Sequence, residues 1–320
     1  MRLSAFLPYQ LDGLARLRTT AGLAQRLGYE RVWLGQSTGL DALVAVSAIA
    51  HEFPGLRFGT AVTGMHMRHP LQSAVEARSV AAVTGRQFTL GLGVGDPESV
   101  RDALGLDCAR PATFAREYLQ VVSALLHNGR VDHAGDVFRV RAEPPPCAGE
   151  VELALGVLRP GMGRVGGELA DACVTWLTPP GYLRDVLIPA VHEAAARCGR
   201  TAPRIVTIVP CSATSDRGEL GAVAAHAFGQ HVRRPHYRAA LDLAGHAGAA
   251  DDAVAFESLI EDVMAYGSAR CIAATLDRYE AAGVDEVVVG AYLAGPRPEV
   301  HYVDTLAAVA VAAGAVELAI

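Results

Sequence analysis

Residues 153–177 read LALGVLRPGMGRVGGELADACVTWL. An apolar run ends at a glycine, a glycine-rich turn with Pro160 opens a helical stretch, and a second apolar run closes in Trp176. Two strands joined by a helical crossover run parallel. The same alternation repeats in both directions. Candidate strands lie at residues 3–7, 31–34, 57–62, 88–93, 151–155, 171–177, 205–209 and 286–289. Helical periodicity fills the intervals, as in LDGLARLRTTAGLAQRLG (11–28) and HPLQSAVEARSVAAVTG (69–85). Eight such units predict an α/β chain folded as one (β/α)8 TIM barrel, a single domain over 1–320.

Two intervals are too long for a helix and a turn. After the fourth strand, residues 96–150 contain the helical segment ATFAREYLQVVSALLHNG (112–129), a candidate hairpin DHAGDVFRV (132–140) and the breaker Pro144–Pro145–Pro146. After the seventh, residues 212–271 look helical, with Pro235 as punctuation. Both insertions leave the C-terminal ends of strands, the face on which barrel enzymes build their sites. Long insertions there serve as lids or substrate walls.

Composition narrows the function. Of the 320 residues 51% are hydrophobic, and no apolar run reaches the roughly 18 residues of a membrane span. The opening MRLSAFLPYQLDG turns polar too early for a secretory signal, so a cytoplasmic protein is expected. All 28 basic residues are arginine, which excludes Schiff-base lysine chemistry and a Walker-type lysine. A net charge of −6 argues against a nucleic-acid partner. Six cysteines without a CxxC pair read as free thiols, and no metal-ligand pattern accompanies them.

The segment PGMGRVGG (160–167) holds a GxGxxG at Gly161, Gly163 and Gly166. A Rossmann reading requires an acidic residue closing the next strand, and DACVTWLTPP supplies none. The physics of an anion at a glycine-rich helix start survives that rejection. A phosphate-bearing cofactor fits Gly161–Gly163 with help from Arg159, against the plainer reading of tight helix–strand packing. LGLGVGDP (90–97) ends strand four in glycines that let a ligand approach the backbone, and places Asp96 at the mouth. Asp96 reads equally as a proton donor or acceptor and as a helix cap before Pro97. In GTAVTGMHMRHP (59–70), His66 is a mouth-facing candidate, while His69 fixes the helix entry before Pro70. Trp176 packs either on a planar cofactor or in the core; Trp33, in mid-strand, reads as core. No GxSxG and no paired carboxylates stand at strand ends. A mouth so poor in charge suits a neutral ring system, with a cofactor supplying the chemistry.

These motifs carry a resemblance. With RVWLG (31–35), GTAVTGMHMRHP, RQFTLGLGVGDP (86–97), the block ending GGELAD (166–171) and AAGVDEVVVG (281–290), the chain resembles the luciferase-like monooxygenase superfamily. The likeness is to its coenzyme F420-dependent branch, which includes methylenetetrahydromethanopterin reductase-like proteins. It implies a non-prolyl cis peptide at Ala61–Val62 beside the cofactor ring. It also implies a cofactor phosphate near residues 156–163 (Gly156, Val157, Leu158, Arg159, Gly161, Met162, Gly163) and contacts from Gly95 and Asp96. Relatives such as the sugar-phosphate dehydrogenase of that branch carry an Asp-His pair after strand two, where this chain has Gln36 and Ser37. The resemblance further implies a homodimer through apolar helices at 40–50 and 75–83. The expected activity is an F420H2-dependent hydride transfer to a C=C or C=N bond of a small, biosynthetic substrate, with Asp96, His66 or a water supplying the proton. The alternatives are an FMN-dependent two-component monooxygenase and a non-catalytic flavin-binding relative.

Overall fold

The computed structural model describes residues 1–7, 13–36, 39–292 and 297–315. Eight strands alternate with helices: β1 Arg2–Leu7, β2 Arg31–Leu34, β3 Arg57–Thr60, β4 Phe88–Gly93, β5 Val151–Gly156, β6 Ala172–Trp176, β7 Arg204–Ser212 and β8 Glu286–Gly290. Hydrogen-bonded neighbours run β7–β8–β1–β2–β3–β4–β5–β6, and β6 also pairs with β7, so the sheet closes as a parallel (β/α)8 barrel. All eight expected strands are present. No helix among the described residues is long and apolar enough to cross a membrane.

The chain divides into two compact units, Met1–Trp33 with Thr175–Pro189 and Ile205–Ile320, and Leu34–Val174 with Ala190–Arg204. In the first, the N-terminal ends of the strands surround a buried carboxylate. Glu286 Oε1 accepts from Ser4 Oγ (2.6 Å) and from Trp33 Nε1 (2.7 Å). Arg31 Nη1 lies 3.6 Å from Oε2, and its guanidinium covers the Trp33 ring at 5.1 Å. Trp33 is fully buried, as its mid-strand place predicts. The segment after β7 forms the helices Arg217–Phe228, Pro235–Leu243 and Ala253–Val263. Leu220, Val223, Phe228, Leu241, Leu259 and Val263 recur on their inner faces and make a core of their own.

The second unit holds β3 to β5 and the segment after β4. That segment forms helices Pro97–Leu104 and Pro111–Asn128, then the expected hairpin, Val131–Ala134 against Arg139–Ala142. The hairpin turn is held by the buried Glu117, whose carboxylate accepts from the backbone N–H groups of Asp136, Val137 and Phe138 at 2.8–2.9 Å. At the N-terminal ends of β4 and β5, Arg204 donates twice to Glu152 Oε1 (2.9 and 2.7 Å), and Thr89 Oγ1 donates to Oε2 (2.7 Å).

Strand seven runs on to Ser212, past its expected end at 209, and strand three breaks off early. Strand three was predicted over 57–62, but β3 stops at Thr60 and a short strand, Thr63–Gly64, resumes beside Leu92–Gly93. The cause is a redistribution of backbone partners. Thr60 Oγ1 both donates to Gly91 O and accepts from Gly91 N, each at 2.9 Å, replacing the ladder at that point. Ala61 N donates to Leu34 O (2.8 Å), and Val62 O accepts from Gln36 N (3.1 Å). The Ala61–Val62 peptide bond is cis, as the resemblance implies.

Candidate active site

The C-terminal ends of β3, β4 and β5 meet on glycine. A Cβ on Gly91 would stand 1.7 Å from Thr60 O, and one on Gly93 would stand 2.5 Å from Val62 Cγ2. Gly156 leaves room for the same valine, at 3.3 Å from Cγ1. In sequence the LGLG glycines read as room for a ligand. At Gly91 and Gly93 the space is instead taken by the chain itself, so that the Val62 side chain lies on a glycine ledge. Ala61 is buried beneath the surface and Val62 is half-buried. Gln36 steadies this bulge from a second side, accepting weakly from Gly64 N at Oε1 (3.5 Å) besides its backbone bond to Val62. Ser37 lies outside the described residues.

Beyond β5, Val157 N donates to Val174 O (2.8 Å), which pins the turn, and Leu158 and Arg159 lead into the helix Pro160–Leu169. Proline at the first helical position has no N–H to satisfy. Gly163 N donates back to Arg159 O (2.9 Å), while no side chain caps the helix. The amides of Gly161 and Met162 therefore lack intrahelical acceptors. Gly161 is exposed, and a Cβ built there meets nothing within 4 Å. Arg159 is exposed and makes no ion pair among the described residues. Open amides and the helix dipole at this N-terminus are what a phosphate needs, and Arg159 is the residue that precedes the helix.

The two proton-transfer candidates separate. Asp96 caps the helix Pro97–Leu104: its Oδ2 accepts from Ser99 N (2.9 Å) and Ser99 Oγ (2.7 Å). The capping reading is thus realised, and one carboxylate oxygen is committed to it. Gly95 before it has φ +75°, a conformation that favours glycine. His66 sits on the short helix Met65–Met67, just past the glycine ledge. Its ring stacks on Phe114 (centroids 4.2 Å apart, 19° between planes), and Nε2 lies 3.3 Å from Cys108 Sγ. Burial lowers its pKa from the ordinary 6.5, which keeps the ring neutral at physiological pH. His69 caps the helix Pro70–Thr84, its Nδ1 accepting from Leu71 N (3.2 Å), as expected.

Trp176 belongs to the other unit. Its ring meets His231 and Tyr237 edge-on at 4.5 and 5.9 Å and packs against the core of the segment after β7. The core reading of this residue is the one its contacts support.

Sequence reasoning passed over Thr60, Cys108 and Phe114. Thr60 carries no local signal. Cys108 and Phe114 reach His66 from a segment some forty residues on, and only tertiary contact reveals them.

The profile of the luciferase-like monooxygenase family matches residues 1–315. The chain is 24% identical over 222 residues to a 5,10-methylenetetrahydromethanopterin reductase from Methanopyrus kandleri, covering 63% of each chain. It is 28% identical over 196 residues to 4-hydroxyprotoasukamycin monooxygenase from Streptomyces nodosus subsp. asukaensis, covering 56% of this chain and 53% of that one. The alignments thus span less than two thirds of either relative. In structure, the chain resembles the coenzyme F420-dependent tetrahydromethanopterin reductase of Methanopyrus kandleri (TM-score 0.79, 19% identity, 96% and 97% of the two chains). It also resembles the oxygenating constituent of 3,6-diketocamphane monooxygenase from Pseudomonas putida in complex with FMN (TM-score 0.74, 16% identity, 99% of each). At these identities the structural likeness concerns the fold.

Proposed function

We propose, for a chain that belongs to the luciferase-like monooxygenase family, that it is an F420H2-dependent reductase acting on a C=C or C=N bond of a small organic substrate. The observation that carries this reading is the chemical poverty of the ledge. Among the described residues beside Val62, Gly93 and Gly156, the titratable groups are Asp96, engaged as a cap, and the neutral His66, whose neighbour Cys108 has its thiol pKa raised by burial. Among the described residues such a site offers no ionised nucleophile and no paired carboxylates, which suits a reactive group brought in by a cofactor. The likeness to a reductase from Methanopyrus kandleri, and to the fold of a coenzyme F420-dependent reductase from the same organism, supports F420 as that group.

Gly161, Met162 and Arg159 would hold the cofactor phosphate, with Gly163 closing the turn behind it. Val62 on its glycine ledge would back the ring, and Gln36 would hold the bulge. When bound, the reduced deazaflavin supplies a hydride. The protein's own part is to orient the ring and the substrate, keep bulk water away and hold a proton within reach. Gln36, an amide, makes that part neutral.

The 28% match to a monooxygenase favours a second reading, an FMN-dependent monooxygenase served by a separate reductase. The phosphate cradle accepts either cofactor. Fluorescence titration of the purified protein with F420 and with FMN decides. Tighter F420 binding supports the reductase, FMN binding alone supports the monooxygenase, and binding of neither overturns both.

A homodimer is part of the same proposal. Val44 on the helix Ala42–Ile49, and Val75 and Val83 on the helix Pro70–Thr84, are exposed apolar side chains on the expected contact helices. Light scattering that gives a particle of 33.5 kDa at every concentration overturns it.

A further inference from the structure

The contact between His66 and Cys108 is not accounted for by cofactor binding. Cys108 lies between the helices Pro97–Leu104 and Pro111–Asn128, 42 residues from its partner. Sγ and Nε2 are 3.3 Å apart, within the range of a sulfur hydrogen bond. Phe114 lies flat against the imidazole and fixes the plane in which its nitrogens point. Among the described residues, no hydrogen bond to His66 Nδ1 is present, and the ring is half-exposed.

We propose that Cys108 is a positioning residue for His66: its thiol donates to Nε2, so the neutral ring carries its proton on Nδ1 and offers that single N–H to an acceptor atom of the substrate. The inference rests on the reductase reading for the identity of that acceptor, a carbonyl oxygen or imine nitrogen conjugated with the bond being reduced.

Two features fix the direction of the bond. A thiol is a weak acceptor, whereas a neutral imidazole nitrogen is a strong one, so S–H to N is the better arrangement. The thiol also keeps its proton. Burial raises the Cys108 pKa above the ordinary 9.0; Asp107 and Asp96 add to the rise, and Arg101 opposes it. The hydrogen bond at one ring nitrogen determines which of the two carries the proton. A ring held in the Nδ1–H form donates one bond in one direction, which selects an uncharged acceptor over a cation. It also provides a polar contact past the apolar ledge of Val62 and its glycines.

The test reads the tautomer directly. In a long-range 1H–15N spectrum of the full-length protein, with His66 assigned by its loss in His66→Gln, Nδ1 should resonate as a protonated, pyrrole-type nitrogen and Nε2 as a pyridine-type one. Cys108→Ala should move the ring towards the Nε2–H form and raise its pKa. Cys108→Ser, which keeps a donor, should restore the native pattern. Phe114→Leu, which keeps the thiol, should leave the tautomer unchanged. A native spectrum of the Nε2–H type, or a Cys108→Ala spectrum identical to native, overturns the proposal. With F420 present, titration with 2-cyclohexenone as the acceptor probe should shift the Nδ1–H resonance. No shift in protein that binds F420 overturns the donor role alone, because the cofactor reading is tested by F420 binding itself.

Discussion

The two ends of β4 and β5 hold opposite chemistries. At the N-terminal ends, Glu152, Arg204 and Thr89 form a part-buried ionic cluster in which both carboxylate oxygens have donors. At the C-terminal ends, a few residues further along the same strands, Gly91, Gly93 and Gly156 carry no side chain, and a valine rests on them. A charge taken out of water is tolerated only when its partners are complete. The N-terminal cluster meets that condition and closes one end of the strands. The C-terminal end avoids it, leaving backbone and an apolar surface where a ring can lie. The contrast separates groups that keep the barrel folded from groups proposed to receive a ligand, and variants at the two ends should therefore fail differently.

The largest effect is expected at Gly91. A methyl group there would overlap Thr60 O, a backbone atom that cannot move away alone. Gly91→Ala should cost about 3 kcal/mol or more, read as loss of folded protein or a sharp drop in the urea midpoint. Gly93→Ala meets only the Val62 side chain, so it should fold at a cost of about 1–2 kcal/mol and weaken F420 binding. Equal stability of the two variants would contradict the account of the ledge.

At the opposite end, Glu152→Ala leaves Arg204 and Thr89 without their acceptor. Its side chain and that of Arg204 are 13% and 22% exposed, so solvent softens the loss. Denaturation should show about 2–3 kcal/mol of destabilisation, with cofactor affinity in the folded protein unchanged. A selective loss of affinity would show that the two ends are not independent.

The proposed phosphate cradle should respond in the reverse sense. Gly161→Val places its side chain in open space, so the melting temperature should move little, while F420 and FMN affinity should both fall about tenfold or more. Arg159→Ala should lower affinity by about tenfold, with its loss diminishing at high salt. Isothermal titration reads both, and unchanged affinities would place the phosphate elsewhere.

The smallest effect concerns the hairpin after β4. Burial of Glu117 by itself raises its pKa, but the backbone N–H groups of Phe138, Val137 and Asp136, with His133, outweigh it and hold the carboxyl below its ordinary 4.5. A carboxylate whose pKa is lower in the folded state contributes stability above the unfolded pKa, and that contribution disappears as pH falls through the folded one. Amide exchange over Val131–Ala142 should therefore accelerate selectively in mild acid, below about pH 4.5. Glu117→Gln should remove that dependence.

What the sequence determined by itself is what short-range physics encodes. The eight strands follow from apolar runs broken by glycine and proline. The helix start at Pro160, the Asp96 cap before Pro97 and the His69 cap before Pro70 each depend on groups at most three residues apart. The Glu117-held hairpin turn was legible as a turn, though not its anchor. Tertiary structure alone decided how those pieces meet. Thr60 ends β3 because Gly91, 31 residues later, exchanges two hydrogen bonds with its hydroxyl. Glu152 finds Arg204 across 52 residues, and His66 finds Cys108 across 42. Such contacts leave no periodicity in the chain, because the barrel's closure, and not neighbourhood in sequence, sets which side chains share a strand end.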